Sequence, residues 1–479
     1  MMNINHPVII QGGMGIAVSG WKLAKTVSQM GQLGVVSGTA INSVLIRRLQ
    51  DGDEQGDVRR AMRAFPHQGI VQQILDLYFI EGGKDPHKSY KRCPQFSIQS
   101  PKALLQLNVV AAFVEVYLAR EGHDNPVGIN VLEKVLLPNL SCLYGALLAG
   151  VAYVIMGAGI PREIPGALDL LSQNKVASLK VSVEGAQAGE ETLTVFDPAE
   201  VMDGVLPTHL KRPYFFPIVS SSTLAANLKK KATGEVNGFI VESPLAGGHN
   251  APPRGPMKLD DKGEPIYGPR DVVDLQEMKA LELPFWMAGS YATPERLAEV
   301  QAEGAHGVQV GTLFAFCKES GLEDDMRNEV VRRIASKDIP QNGFIFTDPR
   351  SSPTGFPFKA VRLGTTISET ALYEKRKRIC DLGYLRHAYR KEDGSVGQRC
   401  PAEPVNDYLK KGGRLEDTVG RKCLCNALMA DIGLPQIQSG GEVEVPLLTA
   451  GDDLNLLARI LKPNQLSYSA QDVVNYLLG

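Results

Sequence analysis

Short apolar runs recur along the chain, each closed by glycine or a small polar residue and followed by a helix-like stretch. Val8-Ile9-Ile10-Gln11 is the first, and Gly34-Val35-Val36, Val127-Gly128-Ile129-Asn130 and Tyr153 to Met156 follow. Phe216-Pro217-Ile218-Val219, Gly238 to Glu242, Phe285-Trp286-Met287-Ala288 and Gly307-Val308-Gln309-Val310 complete eight. Near-continuous apolar strands, without polar alternation, are what a parallel sheet covered on both faces requires. Eight such units in series predict an α/β fold closed as a (β/α)8 TIM barrel, with an open doubly wound sheet as the alternative.

Three segments depart from the repeat. A long polar and helical excursion follows the second strand, over 42–125. An added hairpin region spans 176–213, with strand-like Val176–Val183 and Glu191–Phe196. Beyond about Ser320 the chain turns helical and charged. The expected organisation is therefore a barrel over 1–330 and a mostly helical extension over 331–479, packed on the barrel.

Composition narrows the function. The 479 residues are 43% hydrophobic and 22% charged, ordinary for a globular protein. Fifty-one basic residues against 53 acidic ones leave no global field for nucleic acid or an anionic membrane. Val135 to Ile160 carries no charge, but Gly150 divides it, so it reads as a buried helix followed by a buried strand. Met1 to Pro7 shows no signal-peptide pattern, and the expectation is a cytoplasmic protein without a membrane partner.

Working residues of a barrel come from the loops after its strands. Gln11-Gly12-Gly13-Met14-Gly15 lets backbone approach a flat ligand closely. Ala288-Gly289-Ser290 and Val310-Gly311-Thr312 close strands seven and eight, the usual place for a phosphate in barrels. After strand six comes Glu242-Ser243-Pro244-Leu245-Ala246-Gly247-Gly248-His249. A histidine there should project into the mouth, and its ordinary pKa of about 6.5 suits proton transfer near neutrality. His306 falls at the opposite end. The proline-rich stretch 250–270 has the composition of a lid.

These motifs together resemble the nitronate monooxygenase (2-nitropropane dioxygenase) family, which is related to the flavin-dependent enoyl-ACP reductases. PVIIQGGMG, PVGIN, MGAG, PIVSS, VESPLAGGH, PFWMAGS and GVQVGT stand in order over roughly 1–45 and 126–360. The resemblance implies FMN. Gly13 and Met14 would line its ring, Asn130 would hydrogen-bond it, and Gly247 and Gly248 would pass close by. Gly289, Gly311 and Thr312 would hold its phosphate, with Ser290, Val310, Ser220 and Glu242 completing the cofactor site. His249 matches the family's active-site histidine.

Departures leave the substrate open. Gly289-Ser290 replaces a usual double glycine, and Ser220-Ser221 resembles the reductases more than the monooxygenases. The leading expectation is oxidation of a nitronate or similar carbanion-like small substrate with oxygen. The alternatives are an NAD(P)H-dependent enoyl-thioester reductase, a non-redox barrel for a phosphorylated substrate, and a non-catalytic FMN-binding protein. NAD(P)H, an acyl carrier protein and a second copy of the chain stand as candidate partners.

Seven cysteines argue against a disulfide framework. Cys380, Cys400, Cys423 and Cys425 are separated by nineteen, twenty-two and one residues, which matches no standard metal motif. Buried packing thiols, with no metal, are the expectation. Lys375-Arg376-Lys377-Arg378 reads as a solvated helix face or a docking site for an acidic carrier.

Overall fold

The computed structural model of the chain describes residues 6–338, 340, 343–462 and 465–479. Met1 to Asn5, and with them most of the segment read for a signal peptide, lie outside the described residues. Eight parallel strands form the centre: β1 (Ile9–Gln11), β2 (Gly34–Ser37), β3 (Val127–Leu132), β4 (Tyr153–Gly157), β5 (Tyr214–Val219), β6 (Phe239–Glu242), β7 (Phe285–Ala288) and β8 (Gly307–Val310). They pair in sequence from β2 round to β8, and β8 pairs with β1 at Ile9↔Val308 and Gln11↔Val310. The seam closes through Leu33, whose N–H donates to Ile9 O at 3.0 Å and whose carbonyl accepts from Gln11 N–H at 2.9 Å. The expected TIM barrel is the observed fold.

Side chains fill the barrel interior. Ile10, Leu33, Val35, Ile155, Phe216, Ile240 and Trp286 form one buried cluster inside the strands. The larger core lies outside, between strands and helices. Each strand thus buries both faces, which is why its sequence reads as a continuous apolar run.

At the N-terminal end of the strands the interior is plugged. The His6 ring meets Tyr153, Tyr214, Phe216, Trp286 and His306 edge-on, at centroid distances of 5.3–5.9 Å. His6 Nδ1 hydrogen-bonds the Tyr153 hydroxyl at 2.8 Å, and the Trp286 indole N–H donates to Pro7 O at 3.0 Å. His306 hydrogen-bonds His6 O at 2.8 Å, placing it at the end opposite the mouth as expected.

The excursion divides into two parts. Helices Ile41–Gln50, Asp57–Arg63 and Gln68–Tyr78 are additions, whereas Lys102–Arg120 packs on β2, β3 and the helix Asn139–Leu148. That last position makes Lys102–Arg120 the barrel's own helix between β2 and β3. Among the described residues it is also the one helix long and apolar enough to cross a membrane, and 78% of its apolar window is buried in the fold. The uncharged stretch read as helix and strand is the helix Asn139–Leu148 followed by β4.

Between β4 and β5, Ala177–Lys180 and Leu193–Phe196 form the expected antiparallel hairpin. The C-terminal extension carries short helices and two antiparallel strand pairs. One, Ile345–Asp348 with Phe358–Val361, takes in Gly248 and His249 as a third strand. The other, His387–Arg390 with Val396–Arg399, pairs with Val183–Glu184 of the hairpin region. The extension is stitched into the barrel's mouth side by strand pairing. The basic run is solvated only at its lysines: Lys375 and Lys377 are exposed, whereas the Arg376 side chain is 5% exposed and paired with Glu444, and Arg378 reaches Thr418 O and Pro401 O.

Candidate active site

At the C-terminal ends of the strands the backbone turns make a cleft in two connected chambers. The larger, of about 180 Å³, is lined by Gly13, Met14, Asn130, Glu242, Gly247, Gly248 and His249, with an apolar wall of Leu132, Val135 and Phe358. The smaller, of about 110 Å³, lies over the last two strands and is lined by Gly289, Ser290, Val310, Gly311 and Thr312. Gly13, Met14, Glu242, Gly247, Gln309 and Thr449 line both, so the chambers are continuous. Every sequence-predicted site residue except Ser220 lies on this cleft. Ser220 lines a separate small cavity behind Glu242, together with Pro252, Arg254 and Tyr267.

The glycines do specific steric work here. A Cβ on Gly13 would fall 2.0 Å from the Asn130 Cβ, and one on Gly247 would fall 2.6 Å from the backbone of Ala450. Gly289 sits at φ +88°, where a Cβ would also strike the Ser243 hydroxyl at 2.4 Å. Ser290 follows at φ +63°, a left-handed conformation that costs an L-residue about 1–2 kcal/mol. Its hydroxyl is buried without a hydrogen-bond partner, as is the amide oxygen of Gln309. Both orphaned oxygens lie on residues lining the smaller chamber, and buried polar groups of this kind call for a partner. The helix Pro294–Ala302 between the two turns is capped by Thr293, whose side chain accepts the Arg296 N–H at 3.2 Å.

His249 is held firmly. Its Nε2 hydrogen-bonds Ser352 Oγ at 2.7 Å, Ser352 Oγ is 2.7 Å from Thr354 Oγ1, and the Phe358 ring meets the imidazole edge-on at 4.9 Å. Burial pushes its pKa down to about 4, so the imidazole is neutral at pH 7. The expected titration near 6.5 is corrected on that ground. Burial also pushes the Glu242 carboxyl up to about 7, which makes it the group of this cleft poised to gain or lose a proton near neutrality.

No sequence signal marks the roof. Tyr384, Leu385, Leu424, Cys425 and Leu428 complete the larger chamber, and Thr449 to Gly451 with Asp453 complete the smaller. All come from the C-terminal extension. Gly451 N–H donates to Thr312 Oγ1 at 2.9 Å, tying roof to floor. Asp453 has a buried, unpartnered Oδ1 and a pKa raised by burial. The proline-rich stretch 250–270 lines only the side cavity through Ala251, Pro252, Arg254 and Tyr267, so the larger chamber is closed by the extension. Ser352 lies in a Pro/Gly-rich crossing visible in the sequence. Tyr384, Cys425 and Asp453 carry no local pattern that points to a site.

Residues 206–337 match a family model described as nitronate monooxygenase. This bears out the resemblance read in the sequence over β5 to β8 and the following helix, the half that carries Glu242, His249 and both turns of the smaller chamber. The comparison with curated proteins gives no match. Solved structures similar to the chain include FabK from Thermotoga maritima, at 14% identity and a TM-score of 0.48, covering 99% of this chain and 92% of that one. A nitroalkane oxidase from Streptomyces ansochromogenes follows at 13% and 0.44, covering 98% and 94%. The enoyl reductase domain of MlnA from Bacillus amyloliquefaciens stands at 9% and 0.48, covering 98% and 93%. Likenesses this distant say nothing of activity, and the barrel assignment rests on the strand pairing itself.

Proposed function

From the premise that residues 206–337 are of nitronate monooxygenase type, we propose that the chain is an FMN-dependent oxidoreductase that oxidises a nitronate or similar carbanion-like small molecule with oxygen. The observation that carries the reading is the continuous two-chamber cleft, with glycine-made close approaches under one chamber and orphaned hydroxyl and amide oxygens beside the other.

The residues present fit FMN. Gly13, Met14, Asn130, Gly247 and Gly248 would take the ring: Gly13 and Gly247 let the chain pack closely on Asn130 and Ala450, and Gly248 leaves open space above it. The turns at Gly289-Ser290 and Gly311-Thr312, with Val310 beneath, would take the phosphate. Beside it, burial raises the Asp453 carboxyl above its ordinary range. FMN, when bound, supplies the electron-accepting chemistry that no side chain of this cleft has.

The chain's residues do the rest. Neutral His249, oriented by Ser352, presents a hydrogen bond to the reacting end of a substrate in the larger chamber. Glu242 holds or accepts the proton that substrate ionisation moves. Leu132, Val135, Leu385, Leu424 and Leu428 exclude water from the chamber. The roof that the extension puts over the larger chamber favours a small free substrate over a carrier-bound thioester.

The test is direct. Purified protein should be yellow and release FMN on acid treatment, and oxygen uptake should follow addition of an alkyl or propionate-type nitronate. Colourless protein that cannot be reconstituted with FMN sinks the proposal. Rapid anaerobic bleaching of the flavin by NADPH, without nitronate-dependent oxygen uptake, replaces it with the enoyl-thioester reductase reading.

A further inference from the structure

We propose that Cys380, Cys400, Cys423 and Cys425 form a tetrathiolate site for an iron–sulfur cluster of the four-iron class, set in the wall of the cleft. The four come from three separate pieces of the extension. Cys380 lies in the loop after the helix Thr370–Lys375, Cys400 follows the strand Val396–Arg399, and Cys423 caps the helix Leu424–Ala430 that contains Cys425. The sequence spacing predicts packing thiols, yet the fold gathers all four. Cys423 and Cys400 lie within electrostatic range of Cys380, and Cys425 lies within range of the other three. Cys400 and Cys423 are within range of each other as well.

Buried groups of both signs surround the four thiols: Asp381, Glu403 and Glu444 on one side of the balance and two arginines on the other. Asn426 is wholly buried and pins the assembly: its Nδ2 donates to Asp381 Oδ1 at 2.7 Å and Ile379 O at 3.2 Å, on either side of Cys380, and lies 3.6 Å from Cys423 Sγ. Arg378 Nη1 donates to Pro401 O at 3.3 Å, fixing the chain beside Cys400. Two guanidinium groups face the thiols. Arg376, its side chain only 5% exposed, lies against Cys423 within hydrogen-bonding reach of the thiol and is also paired with Glu444. Arg386 faces Cys380, Cys400 and Cys425, held by Phe96 O at 2.7 Å and Gly383 O at 3.0 Å. A hydrogen bond from a guanidinium is stronger to a charged acceptor than to a neutral thiol, so a thiolate at Cys423 strengthens the contact with Arg376.

The size of the gathering selects the ligand. One tetrahedral zinc, at Zn–S distances of about 2.3 Å, draws its four sulfurs into close mutual contact. Among the described residues no three His, Cys, Asp or Glu side chains stand close enough to hold one ion. A polynuclear cluster bound by four cysteines keeps its thiolates farther apart. Assembly is a ligand exchange without a change of oxidation state. Each of four Sγ–H bonds breaks as an Fe–S bond forms, four protons leave to solvent, and a core of charge 2+ becomes a complex of charge 2−. Arg386, hydrogen-bonded to backbone carbonyls, offsets part of that charge, while Arg376 shares its own with Glu444. Because Cys425 also lines the larger chamber, the cluster would border whatever the chamber binds.

The test is metal and sulfide analysis of the full chain purified without oxygen, and again after anaerobic incubation with equal amounts of ferrous and ferric iron and with sulfide. The expected result is about four irons and four acid-labile sulfides per chain, with an electron paramagnetic resonance signal that appears on dithionite reduction. Cys400→Ala should lose the iron, while Cys317→Ala, at a buried cysteine outside the group, should keep it. If Cys400→Ala does not fold, the parent protein's iron, sulfide and resonance signal still decide. One zinc per chain, or no iron and sulfide after reconstitution, overturns the proposal. The readout is independent of flavin, so this inference and the proposed function fail separately.

Discussion

The two ends of the barrel each hold an enclosed histidine, and burial drives both His6 and His249 to a pKa of about 4. Their surroundings could hardly differ more. His6 is ringed by aromatic side chains in edge contact and plugs a solid interior. His249 has a single aromatic neighbour, a serine partner, and an open chamber in front of it with Glu242 on the same wall. A perturbed pKa therefore marks enclosure at both ends, and only the adjoining space separates a plug from a site. Desolvation lowers the imidazole at one end for the same reason as at the other, with the His306 charge adding to it at His6.

The sharpest way to break that contrast is a matched pair of substitutions. His249→Ala should keep FMN bound and lower turnover by ~10²–10⁴-fold, the usual loss when a proton-handling or hydrogen-bonding group is removed. His6→Ala should leave turnover per folded molecule unchanged. Equal losses of turnover in steady-state assays would mean that the chamber does not distinguish them.

Next in size is Trp286→Ala. Trp286 is fully buried, stacks on Phe216 at 4.8 Å and anchors Pro7, so its loss should destabilise the fold by about 3–5 kcal/mol, read from denaturant unfolding. A cost well under the lower bound would show that the plug is dispensable.

Glu242 sharpens the comparison through pH. Its folded pKa of about 7 exceeds its ordinary 4.5, so the folded state holds the extra proton between those values. Stability contributed by that proton is present below pH 4.5 and is lost as pH rises to 7, by roughly 3 kcal/mol. Glu242→Gln should remove this loss in unfolding measurements on the apoprotein and abolish any limb near pH 7 in the rate profile. The two histidines act in the opposite sense. Both are depressed, so their contribution is full above 6.5 and is lost as pH falls through 4. If Glu242→Gln leaves the neutral-pH slope unchanged, the carboxyl is not the poised group.

The smallest effect is at Ser290. Ser290→Gly relieves a left-handed backbone worth about 1 kcal/mol and should raise the melting temperature of the apoprotein slightly. It should also weaken FMN retention, because the orphaned hydroxyl goes with it. Retention unchanged on gel filtration would remove Ser290 from the phosphate site.

How legible the molecule was depends on how local each signal is. The strands declared themselves because both faces of each are covered. No inside-outside alternation has to be worked out, and an apolar run suffices at Phe285–Ala288 or Phe239–Glu242. Lys102–Arg120 was absorbed into the excursion because nothing in its own sequence tells a barrel helix from an inserted one. The glycine turns and His249 were legible as fixed offsets from strand ends. Ser220 stood at an equivalent offset but opens on the side cavity, since position along a strand does not settle which cavity a side chain lines. The roof was invisible for a plainer reason: Tyr384, Cys425 and Asp453 are brought to the mouth by long-range contacts such as the pairing His249↔Phe358, the Gly451–Thr312 bond and the Tyr384 hydroxyl's bonds to Ser43 and Asn42.

That roof also sets an order of events in time. All eight strands have been synthesised once residue 310 is added, but the roof residues 384–453 come later. At synthesis rates of about 5–20 residues per second, the last of them follows by roughly 7–29 seconds. A barrel that folded during that interval would have its mouth uncovered. Once the extension docks, a cofactor loaded earlier would have to leave through a ceiling. Loading before roofing would make retention a matter of kinetics as much as of affinity.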